Sequence, residues 1–257
     1  MWFLGIDIGS GYSKAVLCED AGLRSCAILP SGGNYQMTGR KVAEIALGRL
    51  KLSFKDISCI VATGYGSVAV DFADDTITDI VCHAVGIHHL FPSVRTAIDV
   101  GAQFSKAIRM NDEGRVTYFV MNEKCAGGSG KFLQVMARIL QRKVEDIAEV
   151  STVATEAVEF TTGCAVFAES EAISRISEGA LPDEILAGVH KAMASKIANL
   201  VTRVGLEPDC ALTGGGARHR GLVEAVEREL TIPVLVPAEP QITAALGAAL
   251  LAWQSKW

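Results

Sequence analysis

Short runs of apolar, β-branched residues alternate along the chain with longer stretches in which apolar positions recur every three or four residues. The short runs predict β-strands at 3–8, 14–18, 25–30, 57–62, 94–99, 105–110, 115–121, 209–213 and 233–236. The longer stretches predict helices at 40–52, 76–90, 129–141, 166–178, 183–204, 218–230 and 241–253. Elements in this order indicate an α/β fold, in which helices pack on the faces of a sheet.

One segment of the chain occurs twice. Residues 6–22, IDIGSGYSKAVLCEDAG, match residues 98–114, IDVGAQFSKAIRMNDEG, without a gap and with eight identical positions. Counted from the strand that begins this segment, each half consists of three predicted strands, a helix, a strand and a helix. The fourth strand ends alike in both, with ATGYG at 62–66 and LTGGG at 212–216. The sequence therefore predicts two duplicated domains.

Each repeat contains a carboxylate that ends an apolar strand and is followed by a glycine-containing turn. Backbone N–H groups of such a turn can bind phosphate, and the carboxylate can hold a hard cation. We expect Asp7 and Asp99 to hold Mg²⁺, directly or through its water molecules, and the two hairpins to face each other across a nucleotide. The candidate phosphate contacts are Gly9, Ser10, Gly11, Ser13, Lys14 and Gly101. The alternative is a pair of ordinary tight β-turns, which the gapless repeat disfavours.

Two further segments complete the candidate nucleotide site. Gln103 is a candidate for orienting the attacking water, as an amide can in phosphoryl transfer, and Asp99 and Gln103 are the candidate catalytic residues. A glycine-rich segment between a strand and a helix lets the backbone approach the nucleoside, and the helix N-terminus adds partial positive charge; its residues are Gly214, Gly215, Gly216 and Ala217. The alternative is a strand-to-helix turn that binds no ligand. Asp79 and His83, four residues apart on a predicted helix, are expected to form a polar pair with no assigned chemistry.

The second repeat contains an insertion. In each half, an aspartate ends the first strand and a threonine ends the fourth. These two residues are 56 positions apart in the first half and 114 in the second, so the second half contains 58 additional residues. We place them roughly at 121–179. The insertion contains Cys125 and Cys164, each just ahead of a predicted helix.

These two cysteines are candidate metal ligands. A cysteine at a helix N-terminus has a lowered pKa and is available as the thiolate, the form that binds iron. Two thiolates are too few for a [4Fe-4S] cluster, which takes four, but a two-fold dimer with the same patch on both chains would supply them. The alternative is that both are buried structural cysteines. The remaining five are predicted core residues: Cys18, Cys26, Cys59, Cys82 and Cys210.

Charge and hydropathy narrow the classes of partner. A net charge of −5 does not indicate a basic surface that would bind nucleic acid or an anionic membrane. The longest strongly apolar stretch, 242–253, is shorter than the roughly 20 residues that span a bilayer. The first nine residues lack the pattern of a signal peptide, so we expect a cytoplasmic protein. A small-molecule or protein partner is favoured.

Four motifs resemble those of one known family. NEKCAGGSGKFL at 122–133, CAVFAESEAIS at 164–174, ATGYG at 62–66 and TGGGA at 213–217 are similar to motifs of the ATPases that activate 2-hydroxyacyl-CoA dehydratases, and of the related ATPase subunits of benzoyl-CoA reductase. The hairpins alone resemble only the broader superfamily of actin, Hsp70 and sugar kinases. The two cysteine segments make the resemblance specific, and it extends over essentially the whole chain.

The resemblance implies a homodimer with two ribonuclease H-like domains per chain, ATP or ADP with Mg²⁺ in the interdomain cleft, and one [4Fe-4S] cluster bridging the subunits. We expect the first domain at 1–95, completed by a C-terminal helix at 241–257, and the second at 96–240. In this family the cysteines matching Cys125 and Cys164 are the cluster ligands. Ferredoxin or flavodoxin supplies an electron, and ATP hydrolysis drives its transfer to a separate iron–sulfur dehydratase or reductase.

One motif departs from the family pattern. The second phosphate motif usually reads Gly-Gly-Gln-Asp-Ser-Lys, whereas this chain has GAQFSK at 101–106, so that Phe104 replaces a carboxylate. Nucleotide binding is still expected, and the rate of hydrolysis stays open. Three alternatives remain: an ATPase subunit that forms a heterodimer in a benzoyl-CoA reductase-like complex, a small-molecule kinase on the same fold, and a non-catalytic assembly protein switched by nucleotide.

Overall fold

A computed structural model describes residues 1–122, 126–150, 156–160 and 165–255. Two mixed β-sheets form the framework. The first sheet has the order β3-β2-β1-β4-β5, with β1 Trp2–Ile8, β2 Tyr12–Glu19, β3 Gly22–Pro30, β4 Ile57–Thr63 and β5 Asp75–Thr76. The second has the order β8-β7-β6-β9, with β6 Thr96–Val100, β7 Ser105–Met110, β8 Val116–Met121 and β9 Cys210–Thr213. The α/β fold class is therefore confirmed.

The two sheets repeat one pairing scheme. In the first, β1 pairs antiparallel with β2 and parallel with β4, which places Asp7 beside Lys14 on one side and Thr63 on the other. In the second, β6 pairs with β7 and β9 in the same senses. Asp99 consequently lies beside Lys106 and Thr213. The sequence repeat is thus a structural repeat with matching register.

Eight α-helices pack around the sheets in the part of the chain that the structure describes: α1 Tyr35–Gly48, α2 Asp79–Leu90, α3 Gly130–Ile139, α4 Val144–Ala148, α5 Ala165–Ser177, α6 Pro182–Val204, α7 Arg220–Leu230 and α8 Thr243–Gln254. Helix α1 begins earlier than predicted because the side chain of Asn34 caps it, accepting a hydrogen bond from the backbone N–H of Met37 at 2.9 Å. We call the first sheet with α1 and α8 the first lobe, and the second sheet with α3 to α7 the second lobe. Helix α2 lies between them.

The predicted strand at 233–236 is wrong. Leu235 forms only a single bridge to Ala211 in β9. Its backbone N–H donates to Cys210 and its carbonyl accepts from Leu212, each at 2.9 Å. Pro233 and Pro237 flank this bridge, and a proline has no N–H with which to extend a ladder.

Helix α8 covers the face of the first sheet opposite α1. Its alanine-rich surface packs against β1, β2, β4 and α2, with Ala245 and Ala249 buried in the contact. The approach is close enough to need glycine: a Cβ on Gly247 would lie 1.8 Å from the carbonyl oxygen of Cys82 in α2, and one on Gly86 would lie 2.2 Å from that of Thr243. The last helix therefore completes the core of the first lobe. The domain boundaries at 95 and 240 stay a prediction.

The core of the second lobe contains a buried histidine. His190 in α6 is fully buried, and burial, followed by the charges of His219 and Arg228, lowers its pKa from 6.5 to about 3. The folded chain therefore keeps this imidazole uncharged at pH values where the unfolded chain protonates it.

This difference predicts a loss of stability in acid. Below about pH 6.5 the unfolded state binds a proton that the folded state does not, so the free energy of unfolding falls by about 1.4 kcal/mol per pH unit from this group. In a His190→Gln variant, urea denaturation between pH 7 and pH 4.5 is expected to show a pH dependence shallower by that amount. Equal slopes for wild type and His190→Gln would contradict the argument.

Candidate functional site

The two hairpin turns face each other across a cleft between the lobes. They approach closely, since a Cβ on Gly11 would lie 2.7 Å from the Cβ of Ala102. The predicted residues that line the cleft are Asp7, Gly9, Ser10, Gly11, Lys14, Asp99, Gly101, Gln103, Gly214, Gly215 and Gly216. The structure thus brings most of the candidate nucleotide site together.

Two predicted residues lie elsewhere. Ser13 is fully buried behind the hairpin, where its hydroxyl is 2.9 Å from that of Ser31. Ala217 is buried behind the glycine-rich turn and does not line the cleft. Side chains alternate along a strand, so a Lys14 that points into the cleft leaves Ser13 on the opposite face.

Both hairpin turns are closed in the same way. The backbone N–H of Gly9 donates to the carbonyl of Tyr12 at 3.1 Å, and that of Gly101 donates to the carbonyl of Phe104 at 2.9 Å. Phe104, which replaces the family's carboxylate, also lines the cleft. The second turn therefore keeps the backbone form of the first without that acid.

Each candidate magnesium ligand is buried beside a lysine. Asp7 and Asp99 are each 5% exposed. The Nζ of Lys14 lies 2.7 Å from Oδ2 of Asp7, and the Nζ of Lys106 lies 3.5 Å from Oδ2 of Asp99. These pairs follow from the strand register, which places cross-strand neighbours on one face of each sheet. The two ammonium groups balance the negative charge of the acids, as a bound metal ion would.

Each acid also contacts the turn that follows the neighbouring parallel strand. Gly64 and Gly214 have left-handed backbones, with φ of +90° and +83°. A Cβ on Gly64 would lie 2.2 Å from Oδ1 of Asp7, and one on Gly214 would lie 2.3 Å from Oδ1 of Asp99. Only glycine leaves room for the carboxylate at both positions. The Thr-Gly motifs read from the sequence thus hold the two acids in place.

Three charged or polar residues of the cleft received no role from the sequence. Asp79, the first residue of α2, pairs with Lys106, and Nε2 of His83 lies 3.4 Å from Oδ2 of Asp99. The sequence contains only weak indications of these residues. Asp79 and His83 are four residues apart on a predicted helix, and Lys106 aligns with Lys14 in the repeat. Asp99 thus lies in a larger polar cluster than Asp7, because two residues of α2 join it.

Two members of this cluster, Lys106 and Asp79, stabilise each other's charged form. Burial alone would lower the pKa of Lys106, but the carboxylates of Asp99 and Asp79 outweigh it and raise that pKa above its ordinary value. Burial alone would raise the pKa of Asp79, yet the ammonium of Lys106 and the nearby His83 bring it below its ordinary value. Lys106 is therefore a fixed positive charge in the cleft.

The cleft also has a lining that suits a nucleoside. The glycine-rich turn Gly214, Gly215 and Gly216 and the apolar residues Leu133, Val144 and Ala148 all line it. The Nη1 of Arg218 donates to Oε1 of Gln241 at 3.0 Å beside this space. Burial, followed by the charge of Arg218, lowers the pKa of His219 to about 4, so its imidazole is uncharged at neutral pH.

The residues present fit a magnesium nucleotide. Two buried acids and two glycine turns line one cleft. The carboxylate oxygens of the acids are the type of ligand that Mg²⁺ prefers. Among the described residues no group of three or more His, Cys, Asp or Glu is arranged to hold a metal by itself. Phosphate oxygens and water would have to complete the coordination, which is usual for Mg²⁺.

The predicted cluster ligands, Cys125 and Cys164, lie outside the described residues. The structure describes the five other cysteines: Cys18, Cys26, Cys59, Cys82 and Cys210. Four of them are buried as predicted and Cys26 is half-buried; burial raises the pKa of Cys18, Cys82 and Cys210 to about 12. Those three are inert protonated thiols at neutral pH.

Comparison with known proteins identifies the family. Residues 4–252 match the BadF/BadG/BcrA/BcrD ATPase family, to which this chain belongs. The chain is 44% identical over 255 residues to the activator of lactoyl-CoA dehydratase from Anaerotignum propionicum, covering 99% of this chain and 98% of that protein. It is 32% identical over 257 residues to a subunit of benzoyl-CoA reductase from Thauera aromatica, covering 96% of this chain and 91% of that protein.

A solved structure shows the same architecture. The activator of the 2-hydroxyisocaproyl-CoA dehydratase from Clostridium difficile, determined with bound ADPNP, superposes with a TM-score of 0.95 at 38% identity, covering 99% of this chain and 95% of that one. The predicted family and the actin-like ATPase fold are confirmed. Membership of an ATPase family implies ATP or ADP and Mg²⁺ as ligands. In the part of the chain that the structure describes, no helix is both long and apolar enough to span a bilayer.

Proposed function

We propose that this chain is an ATP-dependent activator that delivers a low-potential electron to a partner 2-hydroxyacyl-CoA dehydratase. The observation that carries the proposal is the pair of acid-bearing hairpins facing one cleft, in a chain 44% identical to a named dehydratase activator. In this proposal Asp7 and Asp99 hold Mg²⁺, the two turns bind the phosphates, and Gln103 orients the attacking water. Lys14 and Lys106 would exchange a carboxylate partner for phosphate when Mg-ATP enters.

The electron-carrying part of the proposal rests on Cys125 and Cys164. Two such chains, related by a two-fold axis, would supply four thiolates to one [4Fe-4S] cluster. The cluster supplies one-electron chemistry, with ferredoxin or flavodoxin as the donor. The chain's own residues supply nucleotide binding and the coupling of the two sites. The expected homodimer and the cytoplasmic location belong to the same proposal.

A direct backbone link supports coupling between the cleft and the first cysteine segment. The N–H groups of Gly130 and Lys131, at the start of α3, donate to the carbonyls of Gly101 and Ala102, each at 2.8 Å. Helix α3 begins five residues after Cys125. A phosphate that moves the second hairpin turn would therefore move the start of α3 with it, and we propose that this movement controls electron transfer.

Anaerobic purification of cysteine variants tests the proposal. Wild-type protein is expected to be brown, with broad visible absorbance, and to sediment as a dimer. Cys125→Ala and Cys164→Ala should each lose the iron and most of the dimer, because each removes two of four ligands from a shared site. Cys26→Ala is the matched control and should keep both. A colourless wild-type protein, or iron retained in both Cys125→Ala and Cys164→Ala, would contradict the cluster assignment.

A benzoyl-CoA reductase-like role is the second candidate, since the chain is also related to a reductase subunit. It requires a non-identical ATPase partner for the other two thiolates. Reduced protein with ATP should activate a 2-hydroxyacyl-CoA dehydratase without a second ATPase subunit if the first proposal is right. Activity only on addition of such a subunit, with a ring-reducing partner, would favour the second.

A further inference from the structure

Ser105 lies between the nucleotide cleft and the segment that contains Cys125. It is the first residue of β7 and directly follows the second hairpin turn. Its two neighbours in the chain, Phe104 and Lys106, line the cleft. Ser105 itself is fully buried and faces away from the cleft, because side chains alternate along a strand. Any movement of the turn therefore reaches Ser105 directly.

Ser105 binds both flanks of the cysteine segment. Its backbone N–H donates to Oδ1 of Asn122 at 2.6 Å, and its carbonyl accepts from the backbone N–H of Asn122 at 3.0 Å. Its hydroxyl donates to the carbonyl of Gly128. A Cβ on Gly128 would lie 3.5 Å from Nδ2 of Asn122, so the two flanks lie side by side. We call Ser105, Asn122 and Gly128 the serine clasp; the latter two are each three positions from Cys125 in the sequence.

The first repeat contains a contact of the same kind. Ser13 occupies the position of Ser105 in the sequence repeat, and its hydroxyl lies 2.9 Å from that of Ser31, the first residue after β3. The backbone N–H of Ser31 donates to the carbonyl of Gly11 in the first hairpin turn at 3.0 Å. In both repeats a buried serine thus holds the chain that leaves the third strand. In the first repeat this chain continues to α1, and in the second it continues past Cys125 to α3.

Helix α3 connects the clasp to other parts of the insertion. The fully buried ring of Phe132 packs edge to face against that of Phe160, with the ring centres 6.4 Å apart. Nη2 of Arg138, near the end of the helix, lies 3.1 Å from Oε1 of Glu169 in α5. Packed side chains and hydrogen bonds that touch in sequence are the physical means by which two sites can be coupled. The described part of the insertion is therefore in contact with the cleft through the clasp.

We propose that Ser105 and Asn122 are positioning residues that couple nucleotide binding in the cleft to the conformation of the cysteine-bearing insertion. They act through Gly128 and the start of α3, and neither lines the cleft. The backbone bonds of Gly130 and Lys131 hold the same segment, but the clasp depends on side chains and can be removed by substitution. The inference rests on the ATP binding of the proposed function and names the residues through which that site controls the insertion. It does not depend on iron or on the partner enzyme.

Hydrogen–deuterium exchange of the full chain, with and without Mg-ADPNP, tests the proposal. In the wild type the nucleotide is expected to slow exchange both in the hairpin at 99–106 and at 126–134, because a hairpin held by phosphate keeps the amides bonded to it closed. Ser105→Ala leaves the carbonyl of Gly128 without its donor. The slowing at 126–134 should fall by about threefold or more, the effect of one ordinary hydrogen bond, while the hairpin keeps its response. Calorimetry should find an unchanged affinity for Mg-ADPNP.

Two matched variants separate coupling from general damage. Ser13→Ala removes the equivalent hydroxyl of the first repeat, where no cysteine segment follows, and should keep the wild-type response at 126–134. Ser105→Thr keeps the hydroxyl and suits a strand, so it should also keep that response. If Ser105→Ala does not fold, Asn122→Ala replaces it, and the same selective loss is expected.

Each outcome bears on the clasp. An equal response at 126–134 in the wild type and Ser105→Ala, or an equal loss in Ser13→Ala, would overturn the inference. A wild type that binds Mg-ADPNP without slower exchange at 126–134 would overturn it too and leave the nucleotide site intact. A wild type that does not bind Mg-ADPNP would overturn the nucleotide site of the proposed function as well.

Discussion

An Asp99→Asn variant is expected to hydrolyse ATP at least about 100-fold more slowly than the wild-type chain. A metal ion that bridges transferring phosphate contributes several kcal/mol of transition-state stabilisation, and each 1.4 kcal/mol corresponds to about tenfold in rate. The amide has the shape of the carboxylate but lacks its charge. We expect the loss in kcat, with a higher Mg²⁺ concentration needed for half-maximal rate, because the neutral side chain holds the cation less tightly.

The fold should survive this change. Lys106 keeps its ion pair with Asp79, so the lost carboxylate does not leave its ammonium buried alone. Asp112 lies in the exposed turn between β7 and β8, and Asp112→Asn is the matched control that should retain wild-type kcat and Mg²⁺ dependence. Steady-state hydrolysis over a Mg²⁺ series measures both quantities. A kcat within threefold of wild type would remove Asp99 from the chemistry.

Gly247→Ala is expected to lower the free energy of unfolding by about 3 kcal/mol or more. The added methyl would lie 1.8 Å from the carbonyl oxygen of Cys82, and this atom belongs to the backbone of α2, which cannot rotate away as a side chain can. Overpacking of this kind costs about 1–3 kcal/mol and occasionally more, well above the roughly 1 kcal/mol that alanine gains over glycine in a helix. For a chain of this size the melting temperature should fall by about 6–12 °C.

Gly48 provides the opposite case in the same protein. It ends α1, it is exposed, and a Cβ there would meet no atom within 4 Å. Gly48→Ala should therefore be neutral or stabilising by up to about 1 kcal/mol, because alanine restricts the unfolded chain more than glycine does. Thermal unfolding followed by circular dichroism compares the two variants. A Gly247→Ala protein that melts at or above the wild-type temperature would contradict the close packing of α2 and α8.

The elements that were predicted well are those whose pattern of apolar residues lies within the element itself. Apolar runs and helical spacing located the long strands and helices. The gapless repeat was enough to predict that Asp7 and Asp99 occupy equivalent positions in the two sheets. Strand β5 and helix α4 were missed because they are two and five residues long and have no periodicity to read. The strand at 233–236 was predicted from its apolar residues. The two prolines that flank the bridge limit its pairing, and the prediction gave them too little weight.

The candidate site was predicted only where its residues belong to the repeat. His83 lies beside Asp99, and Asp79 pairs with Lys106, because α2 is packed between the lobes. These contacts are made in space by residues with no shared motif. Ser13 shows the converse, since strand alternation placed it away from Lys14, and the hydroxyl that suggested phosphate binding is 2.9 Å from that of Ser31 instead.

Helix α8 has a consequence for how the protein is made. The strands that it covers, β1, β2 and β4, are synthesised before the whole second lobe, and the helix that covers them is synthesised only after it. While the second lobe emerges from the ribosome, the apolar underside of the first sheet has no cover of its own. A nascent chain of this protein should therefore need a chaperone or rapid release, and a chain shortened before residue 243 should aggregate even though every residue of its first sheet is present.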